Sequence, residues 1–267
     1  MNNYQKKYQN QIKNYVNRNK SILAAFYGGS ISRNDSDIYS DIDFRIVLNE
    51  NIEKGFALKE FINIFQNKLF IEHQNNDFAV FHLTDLMKVD VFVYYQKDIG
   101  SNIWLNDIKI LKDYNGFLEA LKNQSMNESV AINRKRLEVA QNKYLAYLLE
   151  SYKREARTEY YYTYYAINMM TNILCYLWYL DINEEPNSIG DWSKYQGERS
   201  KLSINQLNIL KTLPSNNSSE QRNILNDEFI KVINNIIDKE NMSFSLDNKK
   251  LIKFINSFFK HCEDAFT

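Results

Sequence analysis

The sequence contains few of the residues that break helices or cross-link chains. Among its 267 residues are two prolines, seven glycines, two cysteines and three histidines. A chain with so few helix breakers is expected to form long helices wherever it leaves a sheet. Cys175 and Cys262 lie in helix-like apolar segments, which indicates buried thiols and no disulfide framework. His73, His82 and His261 match no zinc-binding spacing, so we expect them to be structural or exposed.

A net charge and a long apolar run are also missing. The 33 basic and 33 acidic side chains balance, so no overall field would attract nucleic acid. No segment approaches the roughly 20 apolar residues that span a bilayer, and the polar N-terminal segment lacks the apolar core of a signal peptide. We therefore expect a cytoplasmic protein with neither a nucleic-acid nor a membrane partner. The abundance of asparagine, lysine, isoleucine and tyrosine is typical of an AT-rich bacterial genome.

The apolar periodicity predicts a sheet in the first part of the chain and helices in the rest. An opening amphipathic helix is indicated by apolar residues at helical spacing: Tyr4, Tyr8, Ile12, Tyr15 and Val16. Further along we predict strands at 22–26, 41–48, 78–83 and 89–95, helices at 53–70, 127–154, 158–180, 219–239 and 247–265, and a loop at 186–201. The predicted fold class is α+β, with a small mixed-sheet domain at residues 1–115 and a helical-bundle domain at residues 116–267.

One segment combines a glycine-rich turn with two closely spaced carboxylates. Gly28-Gly29-Ser30 follows an apolar strand, and a ten-residue spacer separates Ser30 from Asp41-Ile42-Asp43. Glycines let the backbone approach a phosphate closely, and Ser30 adds a hydroxyl and an N–H donor. Period-two alternation places Asp41 and Asp43 on the same face of a strand. Because neighbouring carboxylates repel each other, the arrangement predicts a cation between them, and oxygen ligands suit Mg²⁺.

These residues resemble the signature of the DNA polymerase β-like nucleotidyltransferase superfamily, which is Gly-Ser, a spacer, and then Asp-x-Asp or Asp-x-Glu. Gly29-Ser30 and Asp41-Ile42-Asp43 match it. The segment 39–44 is also similar to the same region of small bacterial lincosamide and aminoglycoside nucleotidyltransferases. The resemblance implies a nucleotidyltransferase domain that uses Mg²⁺, two ions in our expectation, and ATP or another nucleoside triphosphate. Many members of the superfamily are dimers, so a homodimer is one expectation.

The third carboxylate of the superfamily lies on a later strand, and Asp90 is the acid that fits this position. Apolar, β-prone residues flank it on both sides, where a charge without a cation or a hydrogen-bond partner is costly to bury. We therefore predict that Asp90 completes a metal site with Asp41 and Asp43. In the enzymes that the chain resembles, this position ligates a second ion, serves as general base for the acceptor hydroxyl, or does both.

Three cations are further candidates for contacts with the nucleotide. Arg33 follows Ser30 by three residues and is predicted to contact the triphosphate. The loop at 186–201 mixes aromatic and cationic side chains, and Lys194 and Arg199 are its candidates for nucleotide binding. The alternative is a surface arginine in the first case and an ordinary connection between helices in the second.

A tyrosine-rich helix is the candidate for the acceptor pocket. Tyrosine stacks on rings and also offers a hydroxyl, so Tyr160 and Tyr164 would line such a pocket. Glu159, at the start of the helix, would act as a base or contact a cationic acceptor. Packing within the core and between domains is the alternative explanation for these aromatic residues.

Together these features predict an enzyme that transfers a nucleoside monophosphate, expected to be AMP, from a nucleoside triphosphate to a hydroxyl of a small molecule. A lincosamide or an aminoglycoside antibiotic is the expected acceptor. One alternative is an antitoxin-like enzyme that modifies a protein. A fused ribonuclease half with an Arg-x4-His motif is not expected, because the residues five positions before the three histidines are Lys68, Asp77 and Asn256 and none is arginine. The other is a degenerate module that only binds a nucleotide or a partner, which the presence of all three carboxylates argues against.

Overall fold

The computed structural model describes residues 3–244 and 247–266 of the chain. These residues divide into two compact units, one within Met1–Glu128 and one within Ser129–Thr267. The first unit extends beyond the predicted boundary at 115/116 because a helix at Phe117–Ser125 packs on its sheet. The α+β class is confirmed, since a mixed sheet with helices is followed by a region made of helices.

A mixed sheet forms the centre of the first unit. Its strands in the described residues are β1 (Ile22–Tyr27), β2 (Ile42–Leu48), β3 (Lys68–Gln74), β4 (Phe78–Leu83), β5 (Lys88–Tyr95) and β6 (Lys109–Asp113). They lie in the order β3-β4-β5-β2-β1-β6. β2 and β5 are parallel, and the other neighbouring pairs are antiparallel. The parallel pair joins two segments that are far apart in the sequence.

Helices cover one face of this sheet and part of the other. They are α1 (Asn3–Arg18), α2 (Gly29–Arg33), α3 (Lys54–Asn63) and α4 (Phe117–Ser125), with 3-10 turns at Gln96–Asp98 and Ile103–Leu105. α1 and α3 share a buried core with the inward side chains of the sheet, such as Phe44. On the opposite face, α4 shares a smaller core with Phe26 of β1. On that same face, β2 and β5 carry half-buried polar and aromatic side chains.

The predicted helix at 53–70 is wrong in its second half. α3 ends at Asn63, and residues 68–74 form the edge strand β3. Apolar residues recur at helical spacing through this segment, but Phe61 is buried in the core whereas Leu69 and Phe70 are exposed on β3. Pairing with β4, which lies outside the segment, therefore outweighed the local period. The sequence patterns also did not predict β6 or α4.

The second unit is helical. Its helices are α5 (Arg134–Ala156), α6 (Tyr160–Asp181), α7 (Ile204–Thr212), α8 (Ser218–Lys239) and α9 (Asn248–Phe266), with a 3-10 turn at Leu213–Ser215. α5 begins later than predicted because Asn133 caps it, accepting a hydrogen bond from the Arg136 N–H at 2.9 Å. α6, α8 and α9 match their predictions closely, whereas the short α7 was not expected. The loop predicted at 186–201 is confirmed.

The core of the second unit is aromatic as well as aliphatic. Tyr144 of α5 stacks on Phe229 of α8 with ring centroids 3.8 Å apart, and its hydroxyl donates to Asn226 Oδ1 at 2.9 Å. Cys175 is buried in this core, as predicted, whereas the side chain of Cys262 lies outside the described residues. Among the helices that the structure describes, none is long and apolar enough to cross a membrane.

Candidate active site

The parallel pair of strands brings the three predicted carboxylates together. In the register of β2 and β5, Asp43 lies directly opposite Asp90. Asp41 immediately precedes β2 and is two residues from Asp43. Ile42 and Phe44 point into the core and are fully buried, so the carboxylates lie on the other face of the sheet. The pairing of strands therefore adds Asp90 to the two acids that are close in sequence.

The glycine turn packs directly against one of these carboxylates. The Gly28 N–H donates to the Asp43 carbonyl at 3.0 Å. Gly29 has a φ of +60°, and a Cβ on it would lie 1.9 Å from Asp43 Oδ2. The backbone conformation and the close approach of the Asp43 carboxylate thus both favour glycine at position 29. Ser30, which follows, is buried. The turn and the carboxylates form one contiguous surface.

The loop between α2 and β2 is ordered by its own side chains. The Asp37 carboxylate accepts hydrogen bonds from the Ser40 hydroxyl at 2.8 Å and from the Tyr39 N–H at 2.9 Å. This turn leads directly into Asp41. Arg33, at the end of α2, pairs with Asp35 at 3.1 Å. Because both members of that pair are partly exposed, the pair contributes little energy.

Two cations that the sequence analysis did not select contact the carboxylates. Lys88 Nζ lies 3.1 Å from Asp90 Oδ2 and 3.3 Å from Asp41 Oδ2. Arg45 Nη1 lies 3.5 Å from Asp43 Oδ1. A signal for both was present, because each lies two residues from an aspartate on the same strand and must share its face. Each of the three carboxylates therefore has a protein cation beside it.

The electrostatics of the site follow from burial and from these neighbours. Burial raises the pKa of Asp90 above its usual value; Lys88 opposes this shift, and the charges of Asp43 and Asp41 add to it. Burial alone would lower the pKa of Lys88, but its contacts with Asp90 and Asp41 outweigh burial and raise it. Oδ1 of Asp90 is buried and has no hydrogen-bond partner among the described residues. An anionic oxygen in this position is suited to a cation.

The family comparison agrees with this geometry. A family model described as a nucleotidyltransferase domain matches residues 10–124. These residues are a nucleotidyltransferase domain. The resemblance predicted from the glycine turn and the aspartates is thereby confirmed, and so is the prediction of a nucleotidyltransferase enzyme. The matched residues include the turn, Asp41, Asp43 and Asp90.

Two solved structures are similar to the chain that carries this nucleotidyltransferase domain. An aminoglycoside 6-adenyltransferase from Bacillus subtilis is 12% identical with a TM-score of 0.44, over 94% of this chain and 97% of the other. A nucleotidyltransferase-like protein from Exiguobacterium sibiricum 255-15 is 12% identical with a TM-score of 0.41, over 85% of this chain and 73% of the other. No curated protein matches the sequence.

The donor set of the nucleotidyltransferase domain suits a divalent ion. Three carboxylates on one face of the sheet provide the oxygen ligands that Mg²⁺ prefers, and the buried Asp90 Oδ1 lacks a partner among the described residues. In the described part of the chain, no three His, Cys, Asp or Glu side chains converge closely enough to hold a metal ion as they stand. In this arrangement the Lys88 ammonium contacts both Asp41 and Asp90.

An aromatic row crosses the sheet on the same face as the carboxylates. The Arg45 guanidinium lies over the Phe92 ring, 5.0 Å from its centroid. Phe92 stacks on Phe78 at 5.2 Å, and Phe78 stacks on His73 at 4.6 Å. Arg45 and Phe92 are paired in the register two residues beyond Asp43 and Asp90, on the same face of the sheet. The row therefore offers flat surfaces beside the carboxylates.

The remaining predicted site residues belong to the second unit. Glu159 pairs with Arg154 at 2.8 Å, and Tyr160 and Tyr164 are 55% and 58% exposed. Lys194 lies in a loop anchored by a hydrogen bond from the Tyr179 hydroxyl to the Lys194 carbonyl at 2.6 Å. The roles of these residues stay predictions.

The same loop contains the last predicted nucleotide contact and a structural anchor. Tyr195, one residue after Lys194, is fully buried and packs edge-on against Tyr179 at 5.1 Å. This packing fixes the loop through core contacts. Arg199 lies four residues further along, and its predicted contact with a nucleotide also stays a prediction.

Proposed function

We propose that the chain transfers a nucleoside monophosphate, expected to be AMP, from a nucleoside triphosphate to a hydroxyl of a small molecule. One observation carries this proposal: Asp43 lies opposite Asp90 on parallel strands, with Asp41 adjacent and the glycine turn packed on Asp43. Carboxylates that can hold a metal ion, next to a glycine turn, suit a reaction in which charge on phosphate oxygens must be stabilised.

The turn would contact the phosphates. The backbone at Gly28 and Gly29 allows close approach, and Ser30 offers its hydroxyl and N–H. Arg33 would exchange its exposed contact with Asp35 for a phosphate oxygen, which costs little because the Asp35 pair is weak. A charge-assisted hydrogen bond to phosphate is stronger than the bond it replaces.

The carboxylates would hold Mg²⁺, for which we expect two ions, ligated by Asp41, Asp43 and Asp90. When bound, the metal supplies positive charge for the attacking and leaving oxygens. Asp90 would orient the acceptor hydroxyl or accept its proton as the bond to the α-phosphorus forms. The bond between the α-phosphorus and the bridging oxygen then breaks, and pyrophosphate leaves. Arg45 would keep the Asp43 carboxylate oriented.

The proposed acceptor is an antibiotic of the lincosamide or aminoglycoside class. A polycationic aminoglycoside requires acidic groups around it, whereas a lincosamide tolerates aromatic ones. The exposed tyrosines of the predicted acceptor helix, Tyr160 and Tyr164, favour the lincosamide. Glu159, Lys194 and Arg199 would add contacts to the acceptor or the nucleotide. A cytoplasmic location and a homodimer remain part of the proposal.

The test is pyrophosphate release from ATP and from GTP with Mg²⁺, measured with lincosamides, with aminoglycosides and without an acceptor. Release that depends on one drug class would support both the reaction and the acceptor. Nucleotide binding without release for any drug would contradict the antibiotic and favour a protein or metabolite acceptor. Absence of nucleotide binding would contradict the proposed function as a whole.

A further inference from the structure

One lysine lies where two of the three carboxylates would otherwise face each other. Lys88 precedes Asp90 by two residues on β5, so both side chains share one face of the sheet. Its ammonium contacts Asp90 Oδ2 at 3.1 Å and Asp41 Oδ2 at 3.3 Å. Asp41 comes from the segment before β2, so this single cation joins the two strands at the candidate metal site.

The contact of Lys88 with Asp41 and Asp90 reduces the repulsion between the two carboxylates. Asp41 and Asp90 contact the same ammonium, so their carboxylates lie close enough to repel each other. Because Asp90 is only 19% exposed, water screens this repulsion weakly. The ammonium of lysine is a compact point charge on a flexible stem. The Lys88 side chain is itself partly exposed, so it can withdraw toward solvent without unfolding the strand. Its ammonium satisfies one oxygen of Asp90 and leaves Oδ1 without a partner among the described residues.

We propose that Lys88 is a displaceable counter-cation that couples the binding of a divalent ion to the binding of a polyphosphate. This inference rests on the proposed function. A free divalent ion at Asp41 and Asp90 must displace the ammonium and then lies beside it, so Lys88 weakens binding of the ion alone. When a polyphosphate arrives with the ion, its oxygens become the new partners of the displaced ammonium. Lys88 is therefore a positioning residue that favours the metal–nucleotide complex over the bare ion.

The test compares Lys88→Met with a matched control in the same unit. Lys54 also bridges two aspartates, Asp77 at 3.1 Å and Asp98 at 2.7 Å. Lys54→Met thus removes an equivalent ammonium from a pair that the site does not use. Lys88→Arg keeps the charge and controls for the loss of the side chain itself. The probes are Mn²⁺ alone, inorganic tripolyphosphate alone, and the two together. Isothermal titration calorimetry measures the affinity of each variant for each probe.

We expect Lys88→Met to bind Mn²⁺ alone more tightly than the wild type, on the order of tenfold. The same variant should lose most of the gain in Mn²⁺ affinity that tripolyphosphate gives the wild type. Lys54→Met and Lys88→Arg should retain the wild-type affinity for Mn²⁺ alone and the wild-type gain in Mn²⁺ affinity with tripolyphosphate. The midpoint of thermal unfolding should fall in Lys88→Met without metal and recover when Mn²⁺ is added, whereas the fall in Lys54→Met should not recover.

Two results separate the failure of this inference from the failure of the proposed function. If Lys88→Met and wild type bind Mn²⁺ equally while Asp90→Asn binds it weakly, the metal site stands and the role of Lys88 is refuted. If neither wild type nor Lys88→Met binds Mn²⁺ with tripolyphosphate present, both ideas are refuted. Should Lys88→Met prove unfolded, Lys88→Gln allows the same comparison with a neutral side chain that still forms hydrogen bonds.

Discussion

Gly29 and Asp43 lie so close together that a Cβ on residue 29 would be 1.9 Å from Asp43 Oδ2. The atom in the way is the end of a side chain that can rotate, so the overlap is relieved by turning the carboxylate away. The penalty for a side chain at position 29 should therefore appear in function more than in stability. Asp43 is opposite Asp90 in the sheet, and a displacement of about 1 Å at such a site costs on the order of 10²-fold in rate.

Gly29→Ala should lower turnover at least about 100-fold while reducing stability by only about 1–2 kcal/mol, the cost of a left-handed backbone for alanine. Gly116→Ala is the matched control, because Gly116 also has a positive φ of +68° but no described residue other than its chain neighbours lies within 4 Å of its Cβ position. The two variants should unfold at similar urea concentrations and differ in turnover. Equal turnover in both would show that the contact with Asp43 does not matter.

Asp90→Asn and Asp41→Ala should each reduce metal-dependent turnover by at least about 10²-fold, because each removes a charge from the place where the reaction develops charge. Circular dichroism should show the fold intact. Asp77→Asn provides a comparison, since Asp77 is an exposed acid that pairs with Lys54, and it should retain activity. A variant of Asp90 with wild-type turnover would remove Asp90 from the mechanism.

Phe92→Leu should raise the KM of one co-substrate about fivefold with a smaller change in kcat. Its ring supports the Arg45 guanidinium at 5.0 Å and continues into Phe78, and a ring or cation placed on such a surface gains about 1 kcal/mol. The co-substrate whose KM changes is the one that lies on the aromatic row. If steady-state kinetics show both KM values unchanged, the row is structural only.

Asp98→Asn should destabilise the protein at neutral pH and have no effect in acid. The Lys54 ammonium at 2.7 Å and the Tyr95 N–H at 2.9 Å hold the pKa of Asp98 below its usual value. Because the folded pKa is depressed, this stabilisation is fully present above the unfolded value of about 3.9 and is lost as the pH falls through the folded value. Thermal unfolding of the wild type and of Asp98→Asn, measured from neutral pH into acid, should show the unfolding midpoints of the two proteins converging in acid. A difference that does not depend on pH would contradict the ion pair.

Glu155→Gln should lower the free energy of unfolding by about 3 kcal/mol, because it leaves the charge of Arg222, in the second unit, buried and poorly paired. The Arg222 side chain is 2% exposed, and its Nη2 lies 2.5 Å from Glu155 Oε2. It also lies over the Tyr152 ring at 4.0 Å. Arg222→Met should cost less, since it removes the buried charge itself. Urea unfolding measures the loss of stability in both variants. A larger loss in Arg222→Met than in Glu155→Gln would show that Glu155 is not the essential partner of Arg222.

Local patterns predicted the parts of the site that are close in sequence. The glycine turn, Asp41 and Asp43 form one segment, and a two-residue period is enough to place both acids on one face. For the third carboxylate, the resemblance implied an acid on a later strand, and the apolar, β-prone residues around Asp90 indicated that Asp90 fits this position. The long helices α6 and α8 were also predictable, because neither segment contains a glycine or a proline that would interrupt a helix.

The tertiary structure decided which strands are neighbours and which side chains therefore meet. Nothing in the local pattern says that β5 lies parallel to β2, yet that register puts Asp90 opposite Asp43 and brings Lys88 to Asp41. The same kind of contact made residues 68–74 a strand where the local period predicts a helix. Periodicity reports how a segment repeats, whereas pairing depends on partners elsewhere in the chain. The sequence by itself thus determined which three carboxylates are the candidates for the site, and only the fold decided that two cations accompany them.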